Sequence, residues 1–284
     1  MSAQPQAGAA QPDANTQPQA SRQTAAEILS GYDGRPLRIM EVCGTHTHEI
    51  FRLGIRKLLP PQVELISGPG CPVCVTPVGF VDEAIWLAEH DATITTFGDL
   101  VRVPGTEGSL ATARASGARV RVVYSPLDAV DYAREHADER VVFLSVGFET
   151  TVPAACLAAD QAIEEGLDNF SLLTANKTMP NAYAALRDSA DVFLYPGHVH
   201  AITGTRLCED LVAQGVSGVL AGFTAKELVA ALAVAVRKGG EGVPFFVNAY
   251  PRVVRPEGSA AAVALIEKLM EPCDTEWRGL GVIP

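Results

Sequence analysis

Cys43 and His46 stand three residues apart in the run Cys43-Gly44-Thr45-His46-Thr47-His48-Glu49, directly after the apolar stretch Leu37–Val42. On a strand-to-helix turn, a thiolate and an imidazole at that spacing can approach one metal. Cysteine is a soft anionic ligand and histidine a borderline one, a combination that suits iron or zinc. A helix starting just past the turn is expected to lower the thiol pKa and favour the thiolate. Gly44 allows close backbone approach. The same residues also read as a small buried cysteine beside N-capping threonines and surface histidines, and spacing alone favours neither reading.

A second constellation is Gly68-Pro69-Gly70-Cys71-Pro72-Val73-Cys74. A CxxC turn leading into a helix brings two sulfurs within bonding reach, and Pro72 stiffens it. One thiolate attacks a partner sulfur and the second resolves the mixed disulfide, the usual dithiol chemistry. Half of a zinc site is the competing reading. The chain has no second CxxC to complete such a site, which favours redox chemistry.

Two further runs contain polar groups at strand ends. In Gly147-Phe148-Glu149-Thr150-Thr151, Glu149 is expected to project into a cleft, where a carboxylate can accept a proton or orient a ligand. Taken alone, the run reads better as a helix start, with Thr150 or Thr151 capping and Pro153 in the first turn. In Pro196-Gly197-His198-Val199-His200, His198 at a strand end is a better site candidate than His90 or His136. Those two sit at helix ends, where an imidazole commonly meets the last carbonyls. The loop Thr96-Phe97-Gly98-Asp99 through Arg102-Val103-Pro104-Gly105 can bind anions or simply turn. Cys156, Cys208 and Cys273 read as small packing residues in or near helices.

The elements needed to position these groups are legible as alternating apolar runs and amphipathic stretches. Strands are expected at Leu37–Val42, Val63–Ser67, Thr93–Phe97, Arg119–Tyr124, Arg140–Val146, Phe170–Thr174, Asp191–Tyr195, Ser217–Ala221 and Pro244–Val247. Helices are expected at Gly79–His90, Leu127–His136, Pro153–Glu165, Thr205–Gln214 and Ala225–Lys238. Such alternation implies an α/β fold with parallel sheets and right-handed crossovers. In such folds ligands sit where loops leave the carboxyl ends of strands, and all four motifs fall there. Two Rossmann-like domains facing a central cleft are expected, residues 25–140 and 141–255. A disordered tail is expected at 1–24, rich in Gln, Ala and Pro, and a C-terminal helix and further segment at 256–284.

Bulk properties exclude several functions. The net charge of −11, with no Lys/Arg cluster against it, argues against nucleic acid and anionic membrane as partners. No apolar run of about 18 residues appears. The N-terminus lacks the basic start and apolar stretch of a secretory signal, so a cytoplasmic location is expected. Six cysteines in such a chain point to reactive or metal-binding thiols more than to a disulfide framework. No phosphate-binding glycine motif supports nucleotide binding.

Together the motifs resemble the hydrogenase maturation factor HypD family. The matching stretches run in order from about residue 37 to the end: RIMEVCGTHTHEIFRLGIRKLLP, GPGCPVCVTP, TFGDLVRVPG, GSL, VRVVYSPLDA, GFETT, PGHV and EWRGLGVIP. The resemblance implies a scaffold on which the Fe(CN)2CO unit of [NiFe] hydrogenase is assembled, rather than a turnover enzyme. It implies a complex with a small HypC-type maturation protein, whose cysteine shares the iron, and a later encounter with a HypE-type protein that delivers cyanide as thiocyanate. It makes Cys43 and His46 the iron ligands and Cys71 and Cys74 the redox pair. Glu149 and His198 become cleft residues joining that pair in the chemistry, with Thr45, Thr47, Gly147 and Thr150 binding the assembled unit. A [4Fe-4S] cluster is also implied, but the family's cluster cysteines lie beyond the WRGLG segment, and Cys273 precedes it. Asn176-Lys177 is a smaller departure, since similar proteins often carry His at the first position. The readings left in competition are a stand-alone thiol–disulfide oxidoreductase and a binding module with structural zinc.

Overall fold

The computed structural model describes residues 23–284. The tail expected over 1–24 thus lies, through residue 22, outside the described residues. The Thr24 side chain accepts from the Glu27 N–H, while the Glu27 carboxylate accepts from the Thr24 N–H. That reciprocal capping satisfies two otherwise orphaned donors and starts the first helix.

In chain order the elements are α1 (Ala25–Ser30), β1 (Leu37–Glu41), α2 (Gly44–Arg52), β2 (Val63–Ser67), α3 (Val78–Glu89), β3 (Ala92–Thr96), α4 (Leu110–Ala115) and β4 (Val120–Val122). There follow α5 (Pro126–Glu135), β5 (Arg140–Ser145), α6 (Val152–Glu165), β6 (Phe170–Thr174), α7 (Met179–Ala185), β7 (Val192–Pro196) and α8 (Gly197–Thr203). The chain continues with α9 (Arg206–Val212), β8 (Gly218–Ala221), α10 (Ala225–Gly240), β9 (Phe246–Asn248), α11 (Ala260–Leu269), β10 (Thr275–Trp277) and β11 (Gly281–Ile283). The expected strands and helices are all present, displaced by a few residues at most. Helix starts follow local chemistry. Ser125 accepts from the Leu127 N–H with Pro126 at the first helical position of α5, and Thr224 and Glu227 cap α10 reciprocally. At the far end of α6, Gly166 takes φ 68°, a left-handed conformation that glycine adopts without strain.

The strands form two parallel sheets and a separate hairpin. The first sheet runs β2-β1-β7-β8-β9 and the second β4-β3-β5-β6, while β10 and β11 pair antiparallel. The α/β expectation holds, but the strands are not divided in chain order between residues 25–140 and 141–255. β1 and β2 pair with strands from the C-terminal half through Ile39↔Val192, Met40↔Phe193 and Glu41↔Leu194. β3 to β6 form a contiguous insertion that makes the second sheet. The physical reason is that one edge of β1 is taken by β2 and the other stays open until the chain returns at β7. The strand–loop–helix units share the same alternation of apolar run and amphipathic stretch, and that local pattern does not specify which strands pair.

Of the five buried clusters among the described residues, two smaller ones pack α5 and α6 against the second sheet, and three bear on the site. One lies between the first sheet and α1, α2 and α10, with Leu29, Ile39, Ile50, Leu194 and Leu232 at its heart. Another joins the second sheet to α3 and α4 through Ile94, Leu110, Val142 and Leu144. The third brings the two sheets together. Met40 and Val42 from β1 and its exit pack with Phe148 after β5, Met179 and Tyr183 of α7, and Trp277 of β10. The exit loops of both sheets therefore converge on one apolar floor. Among the described residues no helix is long and apolar enough to cross a membrane.

Candidate functional site

The Cys43 turn and the CxxC turn are one structure. Cys43 is the N-cap of α2, extended at φ −153° and ψ 123°, and only 5% exposed. Gly44 N–H donates to the Gly70 carbonyl at 3.3 Å, and Gly68 N–H donates to the Glu41 carbonyl at 2.8 Å. A methyl group at position 70 would overlap the backbone N and Cα of Cys43. Only glycine lets the two loops approach this closely. A cleft of about 630 Å³ opens over the junction, lined by Gly44, Thr47, His48, Phe51, Arg56 and Cys71 among others.

Cys43 departs from expectation in one respect. Burial pushes its thiol pKa up, and the opposing pull of the His46 and Thr45 N–H groups and the Thr45 hydroxyl is weaker. The lowered pKa expected from the helix N-terminus is therefore corrected. A sulfur shut away from water loses more from desolvation of the thiolate than the helix end returns.

His46 is fully buried. Its Nε2 lies 3.0 Å from the Gly222 carbonyl and donates to it, since a carbonyl only accepts. In that neutral tautomer Nδ1 keeps a lone pair, and it is buried with no protein partner. Desolvation, followed by smaller contributions, lowers the ring pKa to about 4. A neutral imidazole with a free lone pair is the form that binds a metal. The ring packs at 4.7 Å from Phe223, which lies 5.1 Å from His198 on its other side. Half-buried His198 is thus joined to the Cys43 turn across Phe223, and burial lowers its pKa as well.

The thiol pair sits at the surface end of this arrangement. Cys71 Sγ accepts from the Cys74 N–H at 3.3 Å, and Cys74 is exposed. A hydrogen bond from the Cys74 thiol to the Cys71 sulfur, with smaller contributions from burial and charge, pushes Cys74 up to about 11. Cys71 is the sulfur that receives both interactions.

Glu149 does not line that cleft. It is buried, with Oε1 accepting from the Met179 N–H at 2.8 Å and Oε2 unpaired. Burial raises its pKa to about 7, against the pull of Met179. The capping expected of Thr150 or Thr151 is not made: the Thr151 hydroxyl donates back to the Phe148 carbonyl at 3.1 Å, and Thr151 makes no side-chain cap. Pro153 is in the first turn as expected. Gly147 accepts from the Lys177 N–H at 3.0 Å, and Thr150 is half-buried beside it. Thr45 is exposed on the first turn of α2, while the Thr47 hydroxyl donates to the Cys43 carbonyl at 3.3 Å.

Cys156 and Cys208 are buried packing residues, as expected, but Cys273 is exposed in the non-helical segment before β10. Nothing apolar covers that segment, so the packing role does not extend to Cys273. Sequence reasoning did not single out Phe223, Tyr183 or Glu41. Buried Glu41 accepts from Ser67 at 2.9 Å, with Arg56 at 3.4 Å, just before the Cys43 turn. Tyr183 is buried with an unpaired hydroxyl. The only advance signal was position at strand exits, as in Gly222-Phe223 after β8.

Among the described residues no three His, Cys, Asp or Glu side chains gather as a metal site. Cys43 and His46 can offer two ligands, and the described residues supply no four-ligand zinc or cluster set.

A sequence profile described as "HypD: Hydrogenase formation hypA family" matches residues 19–284. The chain is 44% identical over 266 residues to the hydrogenase maturation factor HypD of Rhodobacter capsulatus, covering 91% of this chain and 70% of that protein. It is 42% identical over 265 residues to hydrogenase maturation factor HypD of Escherichia coli K12, covering 91% and 71%. A putative hydrogenase expression/formation protein of Methanocaldococcus jannaschii is 38% identical over 254 residues, covering 87% and 70%. With the profile matching nearly the whole chain and identities of 38–44% over about nine-tenths of it, the chain belongs to the HypD family of hydrogenase maturation factors.

Proposed function

We propose that this protein is the scaffold on which the Fe(CN)2CO unit of [NiFe] hydrogenase is assembled, in complex with a small HypC-type protein. Iron is the cargo. Cys43 and His46 supply two ligands, and a cysteine of the HypC-type partner supplies another. A low-spin iron carrying cyanide and carbonyl needs soft, electron-rich anchoring, which thiolate provides. The observation that carries this reading is the direct backbone contact of the Cys43 turn with the CxxC turn, through Gly44 N–H to Gly70 O. It sets a metal-binding thiol beside a dithiol.

Burial has two consequences for Cys43. It keeps the unliganded thiol protonated at neutral pH, so binding iron releases a proton. It also excludes water from the metal–sulfur bond. His46 needs no proton release, because its Nδ1 lone pair is already free. Cys71 and Cys74 can give up two electrons and two protons by closing a disulfide, which suits ligand assembly from a HypE-type donor of thiocyanate. Thr47 lines the cleft over these turns, while Glu149, Gly147 and Thr150 lie behind it and His198 is joined to His46 across Phe223. Glu149, Gly147, Thr150 and His198 are therefore assigned to supporting the site from behind, and Thr45 and Thr47 to its rim. No step is assigned here to a [4Fe-4S] cluster, for which the described residues gather no ligand set. The protein acts in the cytoplasm, where such thiols stay reduced.

The test is iron content of the complex with the HypC-type partner, purified without oxygen. Cys43→Ala should lose the iron, and Cys71→Ser should keep it while hydrogenase remains immature. Full iron in Cys43→Ala would remove Cys43 from the site. Disulfide exchange at catalytic rates without iron or partner would instead favour a stand-alone oxidoreductase.

A further inference from the structure

Among the described residues, Lys177 is a buried cation with no carboxylate within salt-bridge distance. It is 2% exposed and appears in no ion pair. Buried lysines are rare unless paired, so something else must hold this one. Its Nζ donates to the Glu276 carbonyl at 2.7 Å and to the Thr275 hydroxyl at 3.2 Å, and lies 5.6 Å from the Trp277 ring centroid. All three partners belong to β10 of the C-terminal hairpin. At its other end, the Lys177 backbone N–H donates to the Gly147 carbonyl in the loop that carries Glu149.

The hairpin reaches a second loop. Arg278 N–H donates to the Val75 carbonyl at 2.8 Å, one residue past Cys74. Trp277, 1% exposed, stacks on Phe148 at 5.9 Å. Within the CxxC turn, Cys74 N–H and Val75 N–H both donate to the Cys71 carbonyl, and the Thr76 hydroxyl donates to the Pro72 carbonyl at 2.8 Å. The turn holds its own donors, but its exit, the Val75 carbonyl, is fixed from outside by the hairpin.

We propose that Lys177 is a positioning residue for the Cys71–Cys74 pair, acting through the hairpin it grips, so that docking of residues 275–283 sets the geometry and access of the two thiols. On its β10 side the hairpin is held by Lys177, by Trp277 on Phe148 and by Arg278 to Val75, while β11 is tied separately, through buried Ile283 and the Asn181 amide donating to the Pro284 carbonyl at 2.6 Å. Loosening the first frees the third, because β10 is only three residues long and pairs with nothing but β11. A methionine at 177 fills similar space but cannot donate to Glu276 or Thr275. The inference rests on the reading of Cys71 and Cys74 as the working thiols, but its test measures thiol access and not maturation, so the two can fail separately.

The test is the rate of iodoacetamide alkylation at each cysteine of the intact reduced chain, followed by peptide mass spectrometry. Lys177→Met should raise the Cys71 and Cys74 rates at least fivefold while buried Cys43 and Cys208 stay protected. Thr275→Val, which removes one acceptor of Nζ and little else, should raise them in the same direction by about twofold. A merely structural lysine would raise all buried cysteines together. Rates at Cys71 and Cys74 that stay at the wild-type level in a folded Lys177→Met protein overturn the proposal. If that variant does not fold, unchanged rates in Thr275→Val do so alone.

Discussion

Gly70 lies so tightly against the backbone of Cys43 that no side chain fits between them. This contact is the join between the Cys43 turn of the first sheet and the Cys71–Cys74 turn that leads into the second. Gly70→Ala should force one loop away from the other. Overpacking of this kind costs about 1–3 kcal/mol. The variant is expected to unfold at lower denaturant and, in complex with the HypC-type partner, to retain less iron. Wild-type stability together with wild-type iron would show that the contact is dispensable.

Two buried histidines and one buried glutamate set an opposed pH dependence. His46 and His200 titrate near 4 in the folded chain, below their ordinary value of 6.5. Between those limits the unfolded chain binds more protons, so each destabilises the fold as pH falls from 6.5 towards 4. Glu149 titrates near 7, above its ordinary 4.5. There the folded chain binds more protons, so its contribution is full below 4.5 and is lost as pH rises through 7. Each group contributes up to about 1.4 kcal/mol per pH unit in its window. Glu149→Gln should therefore leave a steeper loss of stability on acidification from 6.5 to 4.5. At pH 8 the variant should be the more stable protein, by about 2 kcal/mol, because no charge is then buried. Urea unfolding across pH 4.5–8 checks both signs, and parallel curves for variant and wild type would contradict them.

Cys74 keeps its proton in a hydrogen bond to the Cys71 sulfur. At pH 8, iodoacetamide should therefore modify Cys71 well before Cys74 in the wild-type chain. In Cys71→Ser that partner sulfur is gone, and the Cys74 rate should rise severalfold. Exposed Cys273 serves as an internal reference. Faster modification of Cys74 than of Cys71 in the wild type would contradict that placement of the proton.

Much of this was legible from sequence, and the limits have physical causes. The short runs VELIS and FSLLT placed β2 and β6 at Val63–Ser67 and Phe170–Thr174 without error, because even these edge strands set apolar groups against the core and are bounded by turn residues. The motifs fell at strand exits for the same reason. Which strand pairs with which was not legible, since Ile39 meets Val192 across 153 residues and nothing local to either specifies it. The rise in the Cys43 pKa was equally hidden: the helix N-terminus is visible in sequence, but the degree of burial is not. Phe223, the ring between His46 and His198, looked like one more residue after a strand. Nothing in the sequence near Lys177 specifies its partners, which lie about 100 residues away in the hairpin.

The central claim is that Cys43 holds the iron while its ligands are added. Infrared spectroscopy of the complex with the HypC-type partner, isolated from cells expressing the maturation machinery, tests it most directly through the cyanide and carbonyl stretching bands. Wild-type complex is expected to show both sets of bands, and Cys43→Ala complex of equal composition is expected to show neither. Unchanged bands in the Cys43→Ala complex would contradict the account.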